Sequence, residues 1–375
     1  MFQVFATGWI ALGIALAVPG LAAGADVELA RGAAPQHPQQ PQVAVDARGA
    51  IHVVYGVGDV VYYRRSEDDG ESFSPPVSLP AVHAMSLGLR RGPRLVVTDS
   101  ALCVTAIGGK QGKGRDGDIV ALRSTDGGQT WHAAGQVNDV ADAAREGLHG
   151  MAAGPRGVLC CVWLDLRARG TQIMAATSSD GGATWSKNVV VYRSPEKSVC
   201  ECCHPSVAYD AAGRLVVLWR NSLAGARDMY FAVSADGGQT FGEARKLGTG
   251  TWTLKACPMD GGSLALTPDG KLVTVWRRDK SIFLTEDGSP TERLLGAGEQ
   301  PSIAATAAGS FVVWLEKRGG NLRLLAPSAA EPTVLAAQAG DPVITAGPGG
   351  RGPVVLVWES RSDEVATIKC QVLSR

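Results

Sequence analysis

An all-β chain folded as a β-propeller is predicted by three features of the sequence. Four segments of the form Ser-x-Asp-x-Gly-x-Thr/Ser-aromatic recur at nearly even spacing, short apolar runs of strand length fill the intervals, and no helical periodicity lasts beyond a few turns. A period near 50 residues, with several short apolar runs in each unit, suits four-stranded blades arranged around an axis. A repeat that spans nearly all of 375 residues argues for one closed array rather than for two or three domains.

The four segments run Ser66 to Phe73, Ser124 to Trp131, Ser178 to Trp185 and Ser234 to Phe241, and a decayed fifth copy stands at Thr285-Glu-Asp287-Gly288. Their aspartates Asp68, Asp126, Asp180 and Asp236 step by 58, 54 and 56 residues, and Asp287 follows 51 later. The carboxylate and the Ser/Thr hydroxyls can accept hydrogen bonds from the N–H groups of a tight turn, while Gly supplies the positive φ. This segment resembles the Asp-box, or bacterial neuraminidase repeat, of sialidase-like propellers, and the resemblance covers roughly Gln42 to Arg375. It implies that each box joins the outer two strands of a blade on the side away from any active site, so no box is a catalytic or metal candidate.

In chain order, residues 1–25 come first and carry no charged side chain. Their apolar run from Trp9 to Val18, the break at Pro19-Gly20 and the small residues Ala23-Gly24-Ala25 read as a secretory signal. An uncleaved anchor is the alternative, because no Lys or Arg stands near Met1. Residues 26–375 then form a single propeller domain, expected in the periplasm or secreted, with no transmembrane span in the mature chain.

First strands are expected near Gln42, Pro93, Gly150, Pro205, Ser263, Pro301 and Pro342, which gives seven units. An aromatic closes the second strand of six of them: Tyr55, Trp163, Trp219, Trp276, Trp314 and Trp358. Each follows an apolar run such as Leu215 to Leu218, as a strand buried between two neighbouring sheets requires. The unit around Val104 lacks the aromatic. The seventh unit has three strands of its own, Pro342 to Ala346, Pro353 to Trp358 and Val365 to Leu373. Val27 to Ala30 is therefore expected to close the ring as its fourth, leaving no large unpaired edge. Six blades with a C-terminal appendage is the alternative count.

Acidic and basic residues balance at 36 each, so no net field favours nucleic acid or an anionic membrane. Eight cysteines in an exported chain first suggest disulfides. Cys103, Cys160 and Cys161 fall in second strands and Cys370 in a third strand, where small apolar packing is the expected role; a Cys103 to Cys160 bridge is the alternative.

The other four stand at blade entrances, in Cys200-Glu-Cys202-Cys203-His204-Pro205 and in Cys257-Pro-Met259-Asp260. Loops entering first strands open on one face, near the channel, so the two segments should meet. Cys200, Cys202, Cys203, His204, Cys257 and Met259 then make a soft-ligand set suited to Cu or Zn, with one or two disulfides pinning the loops as the competing reading. His149 and Met151 are weaker additions. Cys200, Cys203 and His204 also match the C-x-x-C-H attachment pattern of c-type haem, although Pro205 and a strand follow at once.

The loops after second strands open on the same face and carry Asp165, Arg167, Arg220, Asn221, Arg277, Arg278, Glu316, Glu359 and Arg361; Arg227 and Asp228 stand at the start of the following strand. Arg220, Asn221, Arg227, Asp228 and Arg277 are the candidates for holding a small anionic ligand.

Sialidase chemistry needs an arginine triad, a tyrosine nucleophile with a glutamate, and an acid/base aspartate. The resemblance implies an Arg-Ile-Pro motif in the first blade and a late tyrosine. The stretch Gln39 to Val43 holds no arginine, and no tyrosine follows Tyr230. Sialidase activity is therefore not expected, although Asp165, Asp260 and Glu316 could supply a carboxylate pair for another glycoside hydrolase. The chain also resembles exported sialidase-like propellers that pair a C-x-C-C segment with a later Cys-Pro-(Met/Val) segment, which supports one four-cysteine constellation and supplies no reaction. The sequence thus leads to a Cys/His site for a soft metal or thiol redox role, with a glycan-acting hydrolase or a non-catalytic binding propeller as alternatives.

Overall fold

The computed structural model describes residues 24–287, 289–362 and 364–374. The secretory-signal reading lies, but for Gly24 and Ala25, outside these residues, as does Gly288 of the decayed box.

Apolar runs of four to seven residues between turn segments give seven sheets of four antiparallel strands. The innermost strands are Gln39–Val45, Arg94–Val97, His149–Ala153, Ser206–Tyr209, Ser263–Leu266, Glu299–Thr306 and Ala339–Gly347. Each touches the innermost strand of the next blade, and the last touches the first, so together they line the axis. Their starts fall within three residues of the positions read from the sequence. Seven blades are present rather than six.

Val27–Ala33 pairs antiparallel with Val365–Ser374, from Val27 opposite Cys370 to Ala33 opposite Val365. The N-terminal strand therefore completes the seventh blade. The packing closes the circle as well. One apolar cluster joins Val355, Val357 and Ile368 of the seventh blade to Val43, Ile51 and Val53 of the first. Equivalent clusters fill every other blade-to-blade interface.

The strand-ending aromatics sit in these interfaces, with Trp163 and Trp219 fully buried. The second blade manages without one because its space is already filled. Residues His83 to Ser86 fold over the end of Leu102–Gly108, where Ser86 N–H donates to Ile107 O at 2.8 Å, and a Cβ on Gly108 would lie 2.5 Å from His83 O.

The repeated boxes are clasps at the turn between third and fourth strands. In the first, Ser66 Oγ donates to Asp68 Oδ1 at 2.7 Å, Gly70 N–H donates to Ser66 Oγ at 2.9 Å and Ser72 N–H donates to Asp68 Oδ1 at 2.9 Å. The same bonds recur about Asp126, Asp180 and Asp236. Antiparallel pairing fixes their side of the disc. The end of a third strand lies with the end of a first strand, so the boxes face away from the blade entrances.

Among the described residues no helix is long and apolar enough to cross a membrane.

Candidate functional site: a sulfur cluster beside a closed channel

Around the axis, each blade entrance offers a polar residue at or near the start of its inner strand. Gln40, Arg90, His149, His204, Asp260, Gln300 and Asp341 are the most central, and six of the seven are classed as buried. Gln300 and Asp341 pair reciprocally: Gln300 Nε2 donates to Asp341 Oδ1 at 2.9 Å and Asp341 N–H donates to Gln300 Oε1 at 3.0 Å. Gln300 N–H donates to Asp260 Oδ2 at 2.8 Å, and Gln40 N–H donates to Glu359 Oε1 at 2.8 Å. Arg90 reaches across to the carbonyls of Pro342 and Gln300, at 2.9 and 2.8 Å. Side chains thus meet across the channel at this level.

Sequence reasoning did not single out Arg90, Gln300, Asp341 or Gln40. A signal was present: Gln40-Pro41, His204-Pro205, Gln300-Pro301 and Asp341-Pro342 each place a polar residue directly before the proline that opens an inner strand. Residues before proline are held out of the helical region. Here Gln40, Gln300 and Asp341 go further and take positive φ, at 54°, 54° and 45°.

Beside this ring, the entrances to the fourth and fifth blades meet. Cys200, Cys202 and Cys203 are buried, and their Sγ atoms form a triangle with edges of 3.6, 3.6 and 3.9 Å. The backbone brings them together: Cys200 N–H donates to Arg220 O at 3.1 Å, which ties the segment to the end of the adjacent second strand. Met259 packs against the three cysteines from the facing loop, with its backbone in the left-handed region at φ 55°. Cys257, two residues earlier, is exposed and interacts with Cys202. It lies outside the group whose ligand atoms are all within 4.8 Å of one another.

Charge in the triangle is shared unequally. Contacts with the Cys202 and Cys203 sulfurs bring the Cys200 thiol down to about 3, far more acidic than an ordinary thiol, with Arg220 adding to the effect against burial. Cys203 moves the other way, raised by burial and by the neighbouring Cys200.

His204 is not part of the triangle. Its half-buried ring lies against Gly261, where an added Cβ would be 2.7 Å from Nδ1, and that enclosed nitrogen has no hydrogen-bond partner. Burial, then Arg90, Arg94 and Arg220, keep the imidazole neutral well below its usual range. His149 and Met151 belong elsewhere again, gathered about Thr105 at 3.0 and 3.6 Å from its hydroxyl. The haem pattern does not fit this geometry. Cys200 and Cys203 turn their sulfurs toward each other at 3.6 Å inside a packed cluster, and His204 points into the channel wall.

The anionic-ligand candidates form a connected group. Arg220 donates to the carbonyls of Asp260, Arg227 and Arg277 at 3.0, 2.6 and 2.8 Å, and its guanidinium lies over Trp252. Arg277 Nη1 donates to Glu299 at 3.0 Å. Asp228 accepts from Lys246 and from Trp252 N–H at 3.0 and 2.8 Å, and Asn221 Nδ2 donates to the Tyr192 hydroxyl at 2.8 Å. Arg227 is the exception, because its Nε is buried without a partner.

The three carboxylate candidates have separate partners. Asp165 accepts from Trp163 Nε1 and from Arg167, at 2.8 Å each. Glu316 holds Arg323 and Asn321, at 2.6 and 2.9 Å. Asp260 is buried with Oδ1 unpartnered, and burial raises its carboxyl above the usual range against the pull of Gln300 N–H and nearby arginines. The remaining cysteines are core residues. Burial pushes Cys103, Cys160 and Cys370 up to about 12, and none of the eight is bridged.

Residues 101–281 match the family model of a BNR repeat-like domain. No curated protein matches the chain. Among solved structures, it is similar to a protein of unknown function from Dyadobacter fermentans at 18% identity, covering 95% of this chain and 100% of that one with a TM-score of 0.56. It is also similar to the GH93 α-L-arabinofuranosidase of Fusarium graminearum, solved with arabinobiose, at 13% identity, coverage of 94% and 98%, and a TM-score of 0.60. With Trypanosoma rangeli sialidase the identity is 12%, the coverage 80% and 56%, and the TM-score 0.50.

Proposed function

Because the chain is an Asp-box β-propeller of sialidase-like fold, a scaffold that carries many unrelated activities, we propose that its function lies in the sulfur cluster: an exported propeller that binds a soft metal ion, Cu or Zn, at Cys200, Cys202 and Cys203, with Cys257 and Met259 facing them. The observation that carries this is the spacing of the three sulfurs. Thiolates held at about 2.3 Å by a tetrahedral ion stand roughly 3.8 Å apart, and the observed edges are 3.6 to 3.9 Å. A disulfide would bring two of them to about 2.05 Å.

Elemental analysis of the purified protein, with the thiols kept reduced, tests the reading. One equivalent of Cu or Zn, lost on Cys202→Ser in a variant that keeps its β-sheet circular dichroism, is the expected result. No metal under loading conditions removes it. The arginines Arg220, Arg227 and Arg277 beside the cluster favour an anionic complex or ligand.

A second reading, a glycan-acting hydrolase, is favoured by one feature. Asp260 combines a raised carboxyl with an unpartnered Oδ1, as a general acid requires. It calls for sugar release from a glycoside panel that is abolished by Asp260→Asn. Retention of activity in Asp260→Asn, Asp165→Asn and Glu316→Gln alike would exclude it.

A further inference from the structure

The sulfur donors differ in access. Cys200, Cys202 and Cys203 are buried, Met259 is half-buried against them, and Cys257 is exposed at the end of an exposed run from Lys255. The last two lie on one loop, separated only by Pro258, and Met259 packs against the triangle. Sulfur ligands therefore extend from solvent to the triangle in order of burial. A purely structural site has no need of this gradient, since its ligands are buried together and exchange slowly. Met259 also narrows the ion. A thioether is a poor partner for Zn(II) and a good one for Cu(I), which three thiolates hold well without a fourth ligand.

We propose, resting on the soft-metal reading above, that Cys257 and Met259 form a relay through which Cu(I) passes between solvent-borne donors and the buried triangle of Cys200, Cys202 and Cys203. Each step exchanges one sulfur ligand for the next on an ion that stays monovalent. Cys257 captures the ion, Met259, packed against the cluster, receives it, and the three thiolates draw it into the triangle. Thiol protons leave to solvent as thiolates take the metal. Arg220, whose carbonyl accepts the Cys200 N–H, stands beside the triangle and offsets the negative charge that accumulates. The class of partner this fits is a Cu(I) carrier offering thiolate or thioether ligands, able to reach Cys257 but not the buried sulfurs.

The test measures the rate of Cu(I) loading from a weak Cu(I) complex, and of its removal by a bidentate Cu(I)-specific chelator, against the amount bound at equilibrium. Cys257→Ser and Met259→Leu should each bind the same one equivalent as the parent protein and exchange it about tenfold more slowly or slower still. Cys202→Ser should lose the bound ion. If Cys257→Ser loses the ion as Cys202→Ser does, Cys257 is a full ligand and the relay is wrong. Unchanged exchange rates in both loop variants overturn it equally. A native Cys202 to Cys257 disulfide found by non-reducing peptide mapping would do the same. If the parent protein takes up no Cu(I) at all, it is the metal reading itself that fails. Met259→Leu keeps the apolar packing, so its rate remains informative should a cysteine variant fold poorly.

Discussion

Nη2 of Arg90, at the entrance to the second blade, donates to the carbonyl oxygen of Gln300, which lies in the innermost strand of the sixth, at 2.8 Å. Nη1 of the same group donates to Pro342 of the seventh. One side chain thereby ties non-adjacent blades across the channel. Arg90→Met would leave two carbonyls unpaired and Asp341, whose carboxylate lies 3.7 Å from Nε, without its cation. Unfolding in urea should show a loss of about 2–5 kcal/mol. Lys at this position should not restore it, because an ammonium cannot span both carbonyls as the planar guanidinium does. An unchanged midpoint in Arg90→Met would show that the crossing is incidental.

The Asp-box clasps make the fold acid-sensitive in a defined window. The Ser72 hydroxyl and N–H hold the Asp68 carboxyl down at about 2, and Asp126 and Asp236 are lowered by equivalent bonds from Thr130 and from Ser234 with Thr240. A carboxyl lowered in the folded state stabilises it fully above its unfolded value near 4. That contribution is lost as pH falls through the folded value. Thermal midpoints should therefore drop steeply between about pH 4 and pH 2, and the drop should be smaller in Asp68→Asn, whose midpoint is already lower at pH 7. Parallel curves for the two proteins would contradict this.

Trp219 fills the interface between third and fourth blades together with Val162, Leu164 and Val217, and is fully buried. Trp219→Ala should cost about 3–5 kcal/mol of unfolding free energy, the usual range for an aromatic removed from a core. The same change at Phe241, which is only partly buried at the edge of that cluster, should cost less. Equal losses would mean that the interface is loosely packed.

Thiol reactivity should follow burial. In the metal-free, reduced protein a disulfide reagent at pH 8 should modify Cys257 first. Cys103, Cys160 and Cys370 should resist until the chain unfolds, since burial holds their thiols near 12. Loading with metal should then protect the triangle. Rapid reaction of Cys160 in the folded protein would show that the interface opens.

Much of the ring was legible from Asp68, Asp126, Asp180 and Asp236, whose spacing gave the blade period, and from the aromatics from Tyr55 to Trp358, which marked second strands. The N-terminal closing strand followed from counting, because the seventh unit had only three strands of its own. The cluster of Cys200, Cys202 and Cys203 could be located because loops that enter first strands open on one face, which put both cysteine segments there. The orientation of His204 was not legible: in sequence it adjoins Cys203, but its ring turns away from the sulfurs and onto Gly261 of the next blade entrance. Nor was the role of Arg90 legible, because a side chain that reaches partners 210 and 252 residues away leaves no periodic trace.

The seventh blade draws its outer strand, Val27–Ala33, from one end of the chain and its other three from the opposite end. The other blades draw their strands from neighbouring stretches of sequence, but Val27–Ala33 must wait for Val365–Ser374. The circle therefore shuts when these two stretches find each other, so a change that unpairs Val365–Ser374 strands Val27–Ala33 as well and loosens the ring at the one place where its strands come from distant parts of the sequence.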